Sequence, residues 1–184
     1  MDCRILLVLA IVSVILTSGC ITGQQISDAP EEAVEEKIEK DLGGLLIGGN
    51  DLEQDFVYGD PMILGVRGQA LEVLYRNATK MKTENGIMLN EIVENTVYRF
   101  GEIEDARVFF SDFREGKEGE ISFDTNLPSD SFGWFSTDTG FTELMFRNSN
   151  VIVRLKYWET IDIYHLPVPE TEITKVAEKI NRKF

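Results

Sequence analysis

Cysteine and histidine are scarce in this chain of 184 residues, which contains two cysteines and one histidine. Both cysteines, Cys3 and Cys20, lie near the amino terminus, so the rest of the chain has no thiol. Disulfide bonds therefore cannot stabilise that later part, and a zinc site built on cysteine is excluded there. Its stability must come from an ordinary hydrophobic core, for which roughly 120 residues is a sufficient length.

Positive charge is also scarce, because 18 Lys and Arg residues face 32 Asp and Glu residues and give a net charge of −14. Nucleic-acid binding requires a basic face, so we expect no nucleic-acid partner. Between residues 28 and 60, eleven acidic residues face only Lys37 and Lys40, a net of −9. We interpret residues 20–42 as an acidic stalk with a short helix, which either repels anionic lipid head groups or is only a solvated spacer. In either case, deleting residues 30–41 should leave the thermal stability nearly unchanged.

One long hydrophobic run is present, at residues 5–16, and Arg4 precedes it. A basic start, an apolar stretch of about 7 to 15 residues and a small-residue end are the parts of an export signal. Residues 17–20, Thr-Ser-Gly-Cys, supply that end. The pattern therefore predicts export from the cytoplasm.

The end of this run resembles the lipobox of prokaryotic lipoprotein signals in Ser18, Gly19 and Cys20. Thr17 departs from the motif, which has a leucine-like residue at that position. The resemblance implies that residues 1–19 are removed as a signal peptide and that Cys20 is lipidated.

The alternative is an uncleaved membrane anchor, because residues 5–22 approach the ~18 residues that cross a bilayer. Arg4 favours a cytoplasmic amino end in that case, so both alternatives place the rest of the chain outside the cytoplasm. We therefore predict a cell-membrane location at the extracytoplasmic face. The predicted organisation is a signal or anchor at 1–19, the stalk at 20–42 and a single domain at 43–184.

The domain shows alternating strand and helix patterns. Two β-branched and aromatic runs flank Asn85-Gly86, a strong hairpin turn signal. A helical pattern follows at residues 101–116, then a strand pair at residues 141–146 and 151–164, and an amphipathic helix that begins near Pro169. In the second of these strands Arg154 and Lys156 alternate with apolar residues, which predicts one buried and one largely solvent-exposed face. This order predicts an α+β domain in which helices cover one face of an antiparallel sheet. The order of elements is loosely similar to that of small extracytoplasmic domains of the PsbP type.

Aromatic residues concentrate in residues 128–140, which we predict to be a loop. Phe132, Trp134 and Phe135 stand there among Ser, Asp and Gly. Such side chains offer flat apolar surfaces to a sugar ring, a lipid tail or a protein partner, and we add Trp158 on the neighbouring predicted sheet face. The alternative is that Trp134 and Phe135 close one end of the core.

Other candidate sites are weaker. Asn77 begins an Asn-x-Thr sequence that could be glycosylated on an exported chain. Asp51, Glu53 and Asp55 alternate like the start of a calcium loop, but the glycine and the bidentate glutamate of that loop are missing. We therefore predict neither a metal site nor a cofactor.

No catalytic motif is present. His165 lacks a nucleophile motif that would pair it with Ser131 or Ser136. Our leading hypothesis is a non-enzymatic domain that binds a small ligand or an envelope protein. The alternatives are a flat structural subunit of the envelope and a hydrolase that uses paired carboxylates, chosen from Asp124, Asp130 and Asp138.

Overall fold

An antiparallel sheet of nine strands runs through residues 35–128 and 130–184, the part of the chain that this computed structural model describes. The strands are β1 (Val57–Tyr58), β2 (Met62–Ile63), β3 (Ala70–Glu84), β4 (Ile87–Phe100), β5 (Ile121–Phe123), β6 (Asp130–Ser136), β7 (Phe141–Asn148), β8 (Val151–Ile161) and β9 (Tyr164–Pro167). Their order across the sheet is β1-β3-β4-β8-β7-β6-β5, while β2 pairs with β3 and β9 pairs with β8.

Three helical segments accompany the sheet in the described residues: a 3-10 helix (Leu42–Leu45), helix α1 (Ile103–Glu115) and helix α2 (Glu170–Asn181). The predicted α+β class is confirmed, and so are the positions of the two longer helices.

The long β3–β4 hairpin forms where the sequence predicts it. Asn85 and Gly86 have φ angles of 52° and 81°, as a two-residue type I′ turn requires. The β7–β8 hairpin is also confirmed, and Ser149 takes the positive φ of its turn.

Two local predictions were wrong. Residues 128–140 are not a loop, since they contain β6, and the strand predicted over residues 151–164 is a hairpin of β8 and β9. Asp162 makes that second turn with a φ of 52°. Aspartate tolerates the left-handed region better than most residues, but without a following glycine the turn signal is weak.

The two helices lie on opposite faces of the sheet, so the prediction that they cover one face was wrong. Side chains along a strand alternate between faces. Val151, Val153 and Leu155 of β8 join the core cluster that contains α2. Ile152 between them joins the cluster that contains Ala106 and Phe110 of α1.

Arg154 explains why this second face looked solvent-exposed in the sequence. Its guanidinium bonds the carboxylate of Glu143, which is only 3% exposed, at 3.0 Å. It also lies 4.9 Å from the ring centre of Phe113 on α1. Helix α1 can therefore cover a charged position on β8, because Glu143 neutralises the charge of Arg154.

Residues 35–41 belong to the compact unit Glu35–Phe184, which begins earlier than the predicted boundary at residue 43. We call this segment the strap. The backbone N–H of Ile38 donates to Asn150 Oδ1 at 2.7 Å, and the Ser149 hydroxyl donates to the Glu36 carbonyl at 2.6 Å. Because these backbone groups bond to the β7–β8 turn, the described part of the predicted stalk helix is not helical.

Arg147 fastens the start of the strap. Its guanidinium bonds both carboxylate oxygens of Glu35, at 3.0 and 3.3 Å, and Asp130 at 2.6 Å. The hydrogen bond from Arg147 holds the pKa of Glu35 below its ordinary value, despite partial desolvation. The pair therefore adds stability above the ordinary glutamate pKa and loses it as the pH falls through the lowered value.

The predicted signal or anchor at residues 1–19 and the lipidation site Cys20 lie outside the described residues. Within residues 35–128 and 130–184, no helix is both long and apolar enough to cross a bilayer.

Deleting residues 35–41 should destabilise the domain, which reverses the expectation from the sequence. Three or more hydrogen bonds to the sheet are lost, for a decrease of about 2–4 kcal/mol in the free energy of unfolding. Urea denaturation measures this, and Glu36→Gln is the control because the strap contacts the domain there through its backbone. An unchanged urea midpoint for the deletion variant would show that the strap contributes nothing to the stability of the domain.

Candidate ligand-binding groove

A concave groove of about 670 Å³ lies between the carboxyl-terminal end of α1 and strands β5 and β6. We call it the α1 groove. Three aromatic residues line its wall: Phe132 and Trp134 through their side chains, and Phe123 from the other face of the sheet. The volume is within the range of small-ligand sites, roughly 300–1,000 Å³.

Two of the residues predicted to bind a ligand, Phe132 and Trp134, meet in this wall. They point to the α1 face of β6, with ring centres 4.9 Å apart, and Trp134 also contacts Phe113 at 5.7 Å. Both are largely buried, at 8% and 1% exposure. They therefore close the core under α1, and only their edges can reach a ligand.

The other two predicted residues lie elsewhere. Phe135 points to the opposite face of β6 and contacts Phe123 at 5.2 Å. Trp158 packs against Phe141 at 4.6 Å, beside β9, and does not line the α1 groove. Sequence proximity grouped Phe135 with the loop, but the strand alternation separates it from Trp134.

Gly133 leaves room for an aromatic ring on the face of β6 that lies opposite the groove. A side chain at this position would overlap the ring of Phe123, which lies across the glycine backbone. Phe123 on the edge strand β5 is thereby seated against β6.

Two cations on the last turn of α1 and just beyond it, Arg114 and Lys117, also line the groove. Lys117 Nζ lies 5.2 Å from the ring centre of Trp134, and Arg114 Cζ lies 5.9 Å from that of Phe132. Within the described part of the chain, neither has a carboxylate partner within 4.0 Å, although the protein is strongly acidic. The sequence signal for them, cations at a helix end, suggested only a helix-dipole role.

Polar groups complete the lining. Glu118 and Asp124 are exposed carboxylates in the groove, and the hydroxyls of Thr125 and Ser131 bond each other at its edge. The indole N–H of Trp134 has no hydrogen-bond partner among the described residues. The α1 groove therefore offers hydrogen-bond donors and acceptors next to an apolar wall.

A second cleft of about 580 Å³ lies on the opposite face of the sheet, beside α2. Lys82 Nζ contacts carboxylate oxygens of Glu91 and Glu159, each at 2.7 Å, and the Tyr157 hydroxyl donates to Glu91 at 3.3 Å. We call these four residues the Lys82 cluster.

The Lys82 cluster is poorly suited to acid–base catalysis. Burial would lower the pKa of Lys82, but its bonds to Glu159 and Glu91 outweigh this and raise it. Desolvation raises the pKa of Tyr157, and the charge of Glu91 raises it further. Lysine and tyrosine thus both stay protonated near neutral pH, whereas a general base must be deprotonated in order to accept a proton.

Two of the carboxylates considered for a hydrolase, Asp130 and Asp138, are separated. Asp130 pairs with Arg147 at one end of β6, whereas Asp138 lies beyond its other end. The two ends of β6 are roughly 20 Å apart, because each residue of a strand advances it by about 3.3 Å. Paired catalytic carboxylates lie only about 5–10 Å apart. Asp124 lies in the α1 groove, where its carboxylate accepts from the Asn126 N–H at 3.3 Å.

His165 is not placed in a nucleophile–base pair. It is exposed, and its Nδ1 lies 3.1 Å from the Thr139 carbonyl oxygen. Ser131 bonds Thr125 instead, and Ser136 is buried in β6.

The acidic turn at residues 51–55 is held by internal bonds. The Asp51 carboxylate is buried and accepts from Lys183 Nζ at 2.6 Å and from the Gly48 N–H at 2.7 Å. In residues 35–128 and 130–184, no three His, Cys, Asp or Glu side chains form a group that could hold a metal ion. Asn77, the predicted glycosylation site, is half-buried within β3, and its side chain lies against Gly59.

Comparisons with known proteins identify a fold and no family. No protein-family model and no curated protein matches the chain. Among solved structures, it is similar to the extracellular domain of PknH from Mycobacterium tuberculosis, with a TM-score of 0.54 and 10% sequence identity. The likeness covers 80% of this chain and 99% of that one. These comparisons show neither the lipobox resemblance nor the PsbP-type resemblance.

Gly133→Ala tests the packing of Phe123 against β6. The new methyl group must displace the Phe123 ring, so we expect a loss of about 1–3 kcal/mol in unfolding free energy. Gly44→Ala is the control, because nothing lies within 4 Å of its added methyl group. Equal stabilities of the two variants in urea denaturation would show that Phe123 is not seated as described.

Lys82→Met tests the Lys82 cluster. Two partly buried carboxylates lose their counterion, so we expect a loss of about 1–3 kcal/mol at pH 7, less than for a fully buried pair. Acidification to about pH 4 protonates carboxylates and should reduce the difference from the parent protein. Thermal denaturation at both pH values measures this, with Lys175→Met as the exposed control. A loss that is the same at both pH values would argue for packing of the lysine stem instead.

Proposed function

We propose that this protein is a non-enzymatic binding domain, held at the extracytoplasmic face of the cell membrane by its amino-terminal segment, and that the α1 groove is its binding site. The observation that carries the proposal is the groove itself. It combines an aromatic wall with two cations and two carboxylates that have few partners within the protein.

Two observations support the extracytoplasmic location. The hydrophobic run at residues 5–16 with Cys20 after it has the composition of an export signal. The fold is similar to a domain described as extracellular, and this agrees with a place outside the cytoplasm.

The titratable groups support binding over catalysis. The best-connected cluster of charges, around Lys82, holds its lysine and tyrosine protonated. Arg147 neutralises Asp130, one of the three candidate carboxylates, and Asp138 lies far from it along β6.

Cys20→Ser tests the anchor. If Cys20 is lipidated, the substitution abolishes incorporation of labelled lipid and releases the protein from membranes. Metabolic labelling and membrane fractionation measure these outcomes, and Cys3→Ser is the matched control that should keep both.

Membrane retention of Cys20→Ser with an intact amino terminus would instead establish the uncleaved anchor and leave the location unchanged. Full-length protein found soluble in the cytoplasm with an uncleaved amino terminus would contradict the proposed location itself.

A further inference from the structure

We infer that the α1 groove binds a neutral saccharide, an inference that rests on the proposed binding function. It follows from the charge balance of the lining, from the mixture of hydrogen-bonding groups and from the apolar wall.

Charge balance argues against an ionic ligand. The lining contains the cations Arg114 and Lys117 and four carboxylates, a net of −2. An anion would meet the excess of carboxylates, and at contact distance each like charge reduces affinity roughly fivefold even in water. A cation would meet Arg114 and Lys117 directly at the aromatic wall. A neutral ligand avoids both repulsions.

The hydrogen-bonding groups match hydroxyls. A hydroxyl both donates and accepts, so a chain of them can use cationic donors and carboxylate acceptors at once. Arg114 and Lys117 have unused N–H groups, whereas Glu118 and Asp124 have unused acceptor oxygens. Glu120 is less available, because it already accepts from the N–H and hydroxyl of Thr137.

The wall supplies the apolar part of the match. Only the edges of Phe132 and Trp134 reach the groove, because the ring of Phe123 lies on the other face of the sheet. Sugar rings carry C–H groups that pack on such apolar edges.

The test uses the full-length protein in a zwitterionic detergent without sugar groups. Neutral oligosaccharides of glucose, mannose and N-acetylglucosamine are titrated by calorimetry and by tryptophan fluorescence. Oligogalacturonate, sugar phosphates, glucosamine oligomers and a fatty acid form the comparison panel. We expect saturable binding of at least one neutral oligosaccharide and weaker binding of its charged counterparts.

Groove variants locate the binding. Asp124→Ala and Arg114→Ala should each reduce affinity about tenfold, the effect of one lost charge-assisted hydrogen bond. Asp162→Asn, in the β8–β9 turn outside the groove, removes a carboxylate at a positive φ that asparagine tolerates, and should change nothing. Unchanged thermal denaturation of all three variants shows that folding is not the cause.

The outcomes separate the two proposals. Tight binding of an anion that Asp124→Ala strengthens, or of a fatty acid, overturns the saccharide inference but supports the α1 groove as a binding site. Binding of neutral saccharides that neither groove variant weakens overturns the assignment to the groove. No groove-dependent binding across the whole panel contradicts both.

Discussion

The burial of both faces of β8 is the constraint on which the rest of the structure depends. This strand lies near the middle of the sheet, with β4 on one side and β7 and β9 on the other. Its alternate side chains must be covered in opposite directions, so one helix cannot serve both. Helix α2 covers Val153 and its neighbours, and α1 covers Ile152. The α1 groove exists because α1 is short and its carboxyl-terminal end lies beside the edge strand β5 and its neighbour β6.

Two arginines neutralise carboxylates that lie on partly covered surfaces of the domain. Arg154 neutralises the buried Glu143 beneath α1, and Arg147 joins Asp130 on β6 to Glu35 at the start of the strap. A planar guanidinium can bond two partners and still pack flat against an aromatic ring. Both arginines therefore connect separate elements of the domain: Arg154 joins β7 to α1, and Arg147 joins β6 to the strap.

The sequence predicted secondary structure best where residues close together in the chain determine it. Asn85-Gly86 specified the long hairpin, and the 3.6-residue patterns located both helices, because these signals depend on nearby residues only. The strap was mispredicted because its few apolar residues also fit a helix, and only distant Asn150 and Ser149 decide otherwise. The same limit applies to the two faces of the sheet, since Arg154 looks solvent-exposed until Glu143 and Phe113 are placed beside it.

The candidate site shows the same division. Composition singled out Phe132 and Trp134, and the structure does place them together, but it also buries them. Arg114 and Lys117 could not be found by pattern, because cations at a helix end usually serve the helix dipole. What distinguishes them is their place over the rings of Phe132 and Trp134 at the edge of a groove, which only the folded structure shows.

Several charged side chains at partly covered positions elsewhere in the domain are paired: Lys82 with Glu91, Lys183 with Asp51, Arg147 with Glu35. The α1 groove instead brings together exposed charged groups, Arg114, Glu118 and Asp124, that make no ion pair among the described residues. Polar groups that the fold leaves without partners are available to something outside the chain. They are therefore the groups through which the proposed ligand would be held.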